Sequence, residues 1–358
     1  MVDKIVHELR QGHRRYFGSA STPEAAIVEC IEYPNSKIAR VRFQWPGETL
    51  MIFLKILHPE LVDGRANRSD RQFKEEQILA EFTTLERLDA AFEPHPELGV
   101  VTPIGCFPEH IALATKEKPG SMFSTQVGRV RVYSRQASVD ELADWFRLCG
   151  RWLRCFQTFE DETAGAATFD FAEVSDYCDV RLEILADHRP QEFTSRFCGA
   201  IRAFLQEQVL AQDPDSLEIV GRHNDYGPYN MILSGRQLVV LDFAGFNFGP
   251  SLSDYVKLWC TIDSMRGSPL VSTRMIATYR DAFASGYGRA VDTANPLFLM
   301  LRLAYVLDKM GDICLDWDGI PMSRRLTYRM LYRRYLSWIA NLTRPRIRSA
   351  GKGARQAR

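Results

Sequence analysis

One segment of the chain, residues 223–243, constrains its fold more than any other. A polar loop holds Asp225 and Asn230 five residues apart, and a short apolar run, a glycine-containing turn and a second apolar run follow, ending at Asp242. Two apolar runs joined by a tight turn predict a β-hairpin, which brings Asn230 at its entry close to Asp242 at its exit. Asp225 is expected to reach the same point from the loop.

Oxygen-bearing side chains that converge in this way suit a phosphate-bound magnesium ion. Mg²⁺ takes hard oxygen ligands in octahedral array, with one or two from the protein and the rest from phosphates and water. The pattern therefore predicts Asn230 and Asp242 as metal ligands. Asp225 is predicted to be the catalytic base that accepts the proton of an attacking hydroxyl, a contribution worth roughly 10²–10⁴ in rate.

Upstream, the pattern predicts a small sheet with one helix. Residues 27–57 are predicted to form strands: apolar and polar residues alternate over 39–45, and a turn at Pro46-Gly47 leads to a second strand over 49–56. A helix is predicted over 71–88 and short strands over 98–117. In the strand that ends at Lys55, alternation places Phe53 and Lys55 on one face, so the Phe53 ring can pack on a base while the Lys55 ammonium reaches phosphates.

Downstream, helical periodicity takes over from residue 138, with short strands only between 217 and 243. The predicted division is a lobe of residues 1–118 that includes an extra N-terminal helix, and a catalytic and acceptor-binding lobe of residues 119–343. The segment 116–120 is the expected hinge. Residues 344–358 carry basic side chains and no acid, which predicts a disordered tail.

Composition limits the class of partner. The chain has 45 basic and 45 acidic residues, so its net charge selects neither nucleic acid nor an anionic membrane. No cysteine pair has the short spacing of a zinc or redox site, and the eight cysteines are predicted to be reduced and buried. No stretch looks like a signal peptide or is long and apolar enough to span a bilayer. We therefore expect a cytoplasmic protein.

The motif His-x-Asp-x-x-x-x-Asn, followed by an aspartate at the end of a strand, resembles that of the aminoglycoside phosphotransferase and choline kinase superfamily. The segment 249–255 is similar to a Gly-Asp-Pro-x-x-Asp-Leu segment of the same enzymes. The resemblance implies an α+β, bilobal, protein-kinase-like fold with a small antiparallel-sheet N-lobe and a larger, mainly helical C-lobe. It also implies that Asp254 bonds the backbone of the catalytic loop and that His223 packs that loop.

The resemblance implies further residues for binding ATP with Mg²⁺. Lys55 is expected to pair with a helix glutamate, for which Glu81 fits the pattern best and Glu75 and Glu76 are alternatives. Backbone groups from Thr115 to Glu117 are expected to read adenine.

The sequence departs from the family pattern at two places. Asn224 replaces a glycine, and asparagine is the residue that best tolerates φ > 0 after glycine. The turn of residues 33–37 contains no glycine, so phosphate contact there falls to Ser36, to backbone N–H groups or to Lys37, unless the turn holds nothing.

The predicted function is ATP- and Mg²⁺-dependent transfer of the γ-phosphate to a hydroxyl of a small molecule, a sugar or glycan-type acceptor or an amino alcohol. Eleven residues separate Asp242 from Asp254, too few to dock a peptide as a protein kinase does. Near Trp317 the sequence clusters four aspartates that either grip the acceptor or are solvated helix-end acids, namely Asp308, Asp312, Asp316 and Asp318. The alternatives are an aminoglycoside or amino-alcohol kinase, a catalytically silent kinase-like scaffold that binds nucleotide, and a protein kinase.

Overall fold

The computed structural model describes residues 1–58, 70–158, 169–212 and 217–356. The chain divides into two compact units. The first contains Met1–Thr125 and Pro228–Phe246, and the second contains Gln126–Gly227 and Asn247–Arg358. The sequence placed the boundary between the two lobes after residue 118, whereas in the structure residues 228–246, which contain the hairpin, also belong to the first unit. Strand pairing is the physical reason, because that hairpin completes a sheet of the first unit.

The first unit is built on a five-stranded antiparallel sheet in the order β1–β2–β3–β6–β5. Its strands are β1 (Glu24–Glu32), β2 (Ser36–Trp45), β3 (Glu48–Leu57), β5 (Pro103–Phe107) and β6 (Ala112–Lys116). The period-2 pattern of β2 buries Ala39, Val41 and Phe43 completely. Two N-terminal helices, α1 (Val2–Gln11) and α2 (His13–Phe17), precede the sheet, and α1 buries Ile5 and Leu9 in the same core.

Helix α3 and a second sheet complete the first unit. Helix α3 spans Asp70–Phe92, and the four-stranded sheet has the order β4–β10–β9–β7. Its strands are β4 (Leu98–Val100), β7 (Ser121–Met122), β9 (Met231–Ser234) and β10 (Gln237–Val240). The predicted hairpin is β9–β10, and its turn uses Gly235 at φ 61°. At the predicted hinge, Gly120 has φ 156°, and a Cβ there would lie 2.3 Å from the Leu233 carbonyl oxygen, so only glycine fits.

The second unit is mainly helical. Helix α4 (Phe123–Arg129) crosses the boundary, and the remaining helices are α5 (Gln136–Gln157), α6 (Phe171–His188), α7 (Ser195–Leu210), α8 (Leu252–Ser264), α9 (Thr273–Tyr287), α10 (Pro296–Leu315) and α11 (Met322–Gln356). A short antiparallel pair, β8 (Ile219–Arg222) and β11 (Asn247–Pro250), frames the predicted catalytic loop. Helices α6, α7, α10 and α11 share one apolar core.

Helices α5 and α9 approach each other closely enough to exclude side chains. A Cβ on Gly150 would lie 2.2 Å from the Phe283 carbonyl oxygen, and one on Gly286 would lie 1.9 Å from the Arg147 carbonyl oxygen. The contact between these two backbones fixes the helix that carries Trp152, which stacks on Tyr226 of the predicted catalytic loop.

Two sequence expectations concern the tail and the cysteines. Helix α11 runs on to Gln356, and the prediction of a disordered tail over residues 344–358 stays a prediction. Among the cysteines, Cys30 is exposed, because it lies on β1 at the edge of the sheet. None of the helices in the described part of the chain is both long and apolar enough to cross a membrane.

Candidate active site

The hairpin β9–β10 brings Asn230 and Asp242 to its open end. The N–H of Leu241 donates to the carbonyl oxygen of Asn230 at 3.0 Å, which extends the ladder by one step beyond the Met231–Val240 pair. Asn230 is nearly buried, whereas the Asp242 side chain is 45% exposed. Asp242 adopts φ 66°, a left-handed conformation that costs energy for a residue other than glycine. The predicted proximity of Asn230 and Asp242 is therefore present in the first unit.

Lys55 lies between two carboxylates. Its Nζ donates to both oxygens of Glu81 at 3.0 and 3.1 Å and to Oδ1 of Asp242 at 2.6 Å. Burial lowers the pKa of the Lys55 ammonium, but the Coulombic attraction of Glu81 and Asp242 outweighs it and leaves the pKa raised. Burial raises the pKa of Glu81, which is 2% exposed, and Lys55 opposes that shift. A charged ammonium is thus fixed beside Asp242.

The helix glutamate that contacts Lys55 is Glu81. Glu75 accepts instead from Arg71 at 2.8 Å, and Glu76 accepts from Gln72 at 3.1 Å, both toward solvent. The sequence did not decide which of these three glutamates pairs with Lys55, and the contacts in the structure do. Helix α3 turns Glu81 inward because the residue lies on the same face as the buried Ile78 and Leu85.

Pockets for small molecules and cofactors in proteins have volumes of roughly 300–1,000 Å³, and the first unit contains a cavity of 520 Å³. It gathers seven of the residues predicted from the sequence: Ser36, Phe53, Lys55, Glu81, Thr115, Asn230 and Asp242. Apolar side chains cover much of the remaining wall: Ile38, Leu85, Val101, Leu113, Met122, Ile232 and Leu241. An apolar slot with a cation and two carboxylates at one end can hold a flat base and a charged polyphosphate.

Glu117 lies outside the lining of this cavity. Its carboxylate forms a two-pronged ion pair with Arg40, with both distances 2.9 Å, and its N–H donates to the Met51 carbonyl oxygen at 2.9 Å. The neighbouring Lys116 and Lys118 line the cavity instead. Of the turn 33–37, Tyr33 and Ser36 line the cavity, while the Lys37 ammonium pairs with Glu32 at 3.3 Å.

The predicted catalytic loop belongs to the second unit, where helix α8 holds its backbone. The two oxygens of Asp254 accept the N–H groups of His223 and Asn224 at 2.6 and 2.9 Å. Burial raises the pKa of Asp254, and the hydrogen bonds that it accepts from the N–H groups of His223 and Asn224 oppose the rise. Asn224 has φ 64°, the left-handed conformation expected for the residue that replaces glycine. The fully buried His223 ring packs the loop and accepts the Asp225 N–H at 3.2 Å.

Lys257 is a site residue that the sequence reasoning missed. Its Nζ donates to Oδ1 of Asp225 at 2.8 Å and to the carbonyl oxygen of Asn224 at 2.5 Å. Lys257 and Asp254 are three residues apart on helix α8, so both side chains face the loop. The sequence could have indicated Lys257 by this spacing, because a polar residue one helical turn after Asp254 lies on the same face of α8 as Asp254. The prediction that Asp225 meets Asn230 and Asp242 around one cation stays a prediction.

A second cavity, of 380 Å³, lies in the second unit beside this loop. Its polar and charged lining residues are Glu173, Tyr177, Arg222, Asn224, Ser253, Asp254, Lys257, Tyr305 and Asp308, and its apolar lining residues are Phe169, Val174, Leu301 and Ala304. Two of its lining residues are next to Asp225: Asn224 precedes it in the chain, and Lys257 forms an ion pair with it.

The predicted cluster of four aspartates does not converge on this cavity. Asp308 lines it but pairs with Arg181 at 2.8 Å and accepts from the Tyr177 hydroxyl. Asp312 pairs with Lys309 at 2.8 Å, and neither Asp316 nor Asp318 lines the cavity. Asp316 is the C-cap residue of α10, whereas Asp308 lies inside that helix, so the alternative reading of helix-end acids describes only part of the cluster.

Comparison with known proteins identifies the family. The family model described as the phosphotransferase enzyme family, APH, matches residues 68–297, well over half of the chain. Among curated proteins none matches the sequence significantly.

Several solved structures share the fold at low sequence identity. An amicoumacin kinase, hAmiN, aligns with a TM-score of 0.52 at 11% identity over 95% of this chain and 96% of its own. The GDP complex of aminoglycoside 2′-phosphotransferase-IIIa aligns with a TM-score of 0.53 at 12% identity over 94% and 99%. A choline/ethanolamine kinase family protein from Mesorhizobium loti gives 0.50 at 12% identity, over 94% of each chain. These likenesses agree with the bilobal, protein-kinase-like fold, and the family match shows that the chain belongs to the APH phosphotransferase enzyme family.

Proposed function

We propose that this phosphotransferase moves the γ-phosphate of ATP, with Mg²⁺, to a hydroxyl of a small molecule. The observation that supports the proposal most is the Lys55 ammonium, held by Glu81 and Asp242 at the charged end of a 520 Å³ cavity in the first unit. A cation fixed in this way is positioned to bind phosphate oxygens. Phe53 and Thr115, on the wall of the same cavity, would contact the base and hinge side of the nucleotide.

The residues at the open end of the hairpin fit a magnesium ion. The Asn230 amide and the Asp242 carboxylate both offer hard oxygen atoms, and Mg²⁺ is bound in kinases by one or two such groups together with phosphates. The partly exposed Asp242 carboxylate leaves room for water and phosphate ligands. When bound, the ion would neutralise charge on the phosphates.

Asp225 is the proposed catalytic base. The acceptor hydroxyl oxygen forms a bond to the γ-phosphorus, the bond from that phosphorus to the β,γ-bridging oxygen breaks, and ADP leaves. The hydroxyl proton passes to the Asp225 carboxylate. Lys257 holds that carboxylate at 2.8 Å, so its role is to orient the base.

The proposed acceptor is a sugar or glycan-type molecule. An aminoglycoside carries several ammonium groups and would need unpaired carboxylates. In the second unit, however, Asp308 is already neutralised by Arg181. This pairing favours a hydroxyl-rich acceptor over a polycation. The cytoplasmic location and the lack of a nucleic-acid partner remain predictions.

The test is an acceptor screen with ATP and Mg²⁺, comparing the natural protein with Asp225→Asn. We expect the variant to bind ATP as before and to lose turnover by roughly 10²–10⁴. Asp281→Asn, an exposed aspartate of α9, is the matched control and should keep full turnover.

Two results of that screen would count against the proposal. Full turnover in Asp225→Asn would remove Asp225 from its role. ATP binding with no turnover by the natural protein against any acceptor would favour the alternative of a silent nucleotide-binding scaffold, which the glycine-free turn 33–37 motivates.

A further inference from the structure

Arg222 is a cation at the wall of the 380 Å³ cavity in the second unit, three residues before Asp225. Its Nε donates to the Asn247 side-chain oxygen at 3.0 Å, and its Nη1 donates weakly to the Ser253 hydroxyl at 3.4 Å. Both partners are neutral. Among the residues that the structure describes, no ion pair joins this guanidinium to a carboxylate.

The position of Arg222 is fixed by packing. The guanidinium lies over the ring of Phe169 at 5.6 Å from its centroid. On another side it rests on Gly249, where a Cβ would lie 2.3 Å from Nε, so the glycine makes room for the arginine. Phe169 and Arg222 both line the cavity, so the Arg222 guanidinium forms part of the cavity wall.

The carboxylates near Arg222 do not satisfy it. Asp254 is occupied by the two backbone N–H groups of the catalytic loop, and Glu173 is exposed. Burial lowers the pKa of Arg222 by more than the charges of Asp254 and Glu173 raise it. An arginine nevertheless stays charged at neutral pH, so a partly desolvated cation without a counter-ion remains at this wall.

Two of the other charged groups that line the cavity, Lys257 and Asp308, already have ion-pair partners. Lys257 pairs with Asp225 at 2.8 Å, and Asp308 pairs with Arg181 at 2.8 Å. Ser253 lies in the first turn of α8, a helix of 13 residues whose N-terminal end carries partial positive charge. The partly buried cation left without an ion pair among the described residues is Arg222, and the exposed Glu173 carboxylate at the same wall is screened by solvent.

We propose that the acceptor is an anionic polyol, of sugar size, whose carboxylate or phosphate group binds Arg222 while one of its hydroxyls faces Asp225. This inference rests on the proposed function and names the acceptor class. Three residues of chain place the Arg222 and Asp225 Cα atoms at most roughly 11 Å apart, a span that a hexose-sized molecule and the two side chains can fill. Planar guanidinium groups bind carboxylate and phosphate through paired hydrogen bonds.

The test compares matched acceptors that differ by the anionic group. Glucose is assayed beside glucuronate and beside glucose 6-phosphate, and galactose beside galacturonate, with ATP, Mg²⁺ and the complete protein. We expect kcat/KM to be about 10–100-fold higher for the anionic member, from the usual strength of a hydrogen bond to a charged group. The carboxylate and phosphate arms distinguish the two kinds of anion.

Variants of the protein test whether Arg222 causes the preference for anionic acceptors. Arg222→Gln should reduce the ratio of anionic to neutral kcat/KM to near one, mainly through KM, and Arg222→Lys should retain part of it. Arg202→Gln, an exposed arginine of α7 that pairs with Asp179, is the matched control and should leave the ratio unchanged. Because Arg222→Gln could fold poorly, Glu173→Gln provides a second test: removing this exposed acid should raise kcat/KM for the anion about 2–3-fold.

The outcomes separate this inference from the proposed function. Absence of Asp225-dependent turnover with every acceptor overturns the proposed function. Turnover of neutral sugars at rates equal to or above those of their anionic partners, or an anion preference that survives in Arg222→Gln, overturns the inference alone.

Discussion

Replacing Asp254 by asparagine tests how helix α8 supports the catalytic loop. The Asp254 side chain is 1% exposed, and each of its oxygens accepts one backbone N–H, from His223 at 2.6 Å and from Asn224 at 2.9 Å. Asparagine has nearly the same shape but only one accepting oxygen. Its amide NH₂ group therefore has to face one of the two loop N–H groups.

The expected cost follows from that mismatch. One hydrogen bond to a charged group, worth about 1.5–3 kcal/mol, is lost and a buried N–H loses its acceptor. Burial of the ionised carboxylate no longer costs free energy, which offsets part of the loss. We expect a decrease of about 2 kcal/mol in the free energy of unfolding. In a unit of this size, each kcal/mol of lost stability lowers Tm by about 2–4 °C. A loss of about 2 kcal/mol therefore lowers Tm by about 4–8 °C.

The assay measures unfolding by heat and by urea, together with acceptor-dependent turnover. Misplacing the loop by about 1 Å is expected to reduce kcat by about 10²-fold, while affinity for ATP changes little. Asp144→Asn is the matched control, because Asp144 is an exposed residue of α5 that pairs with Arg147, and its loss should change stability by less than about 0.5 kcal/mol. Equal stability and equal kcat in the two variants would refute the argument that Asp254 holds the loop.

Two further predictions concern the nucleotide cavity and the helix contact. Lys55→Met should weaken ATP binding, measured by calorimetry, and should also destabilise the fold by about 3–5 kcal/mol because the buried Glu81 loses its partner; unchanged ATP affinity would contradict the role of Lys55. Gly150→Ala should lower Tm, since its Cβ would lie 2.2 Å from the Phe283 carbonyl oxygen, at a cost of about 1–3 kcal/mol. Gly199→Ala, at an exposed position in α7 with open space around it, should raise stability by about 0.5–1 kcal/mol. If both variants lowered Tm, lack of space for the Cβ would not explain the effect at Gly150.

The sequence predicted most of the elements because the patterns that define them are local. Alternation over 39–45 predicted strand β2, the apolar run that follows the turn at Pro46-Gly47 predicted β3, and the two apolar runs around Gly235 predicted the hairpin β9–β10. The sequence did not predict that the hairpin joins the sheet of the first unit. That assignment depends on the pairing of β10 with β4, more than a hundred residues earlier in the chain, and strand pairing over such a distance leaves no local signature.

The site divides in the same way. Spacing alone determined that Asn230 and Asp242 lie together, because a tight hairpin leaves no other arrangement, and the motif itself identified Asp225 for its proposed role. Tertiary structure decided which glutamate reaches Lys55, which acids remain unpaired and where the unpaired cation lies. The charge of Asp308 is balanced by Arg181, 127 residues away in the chain, and Arg222 has no carboxylate partner among the residues that the structure describes. Charge pairing depends on distances of a few ångströms in space, and separation along the sequence does not encode them.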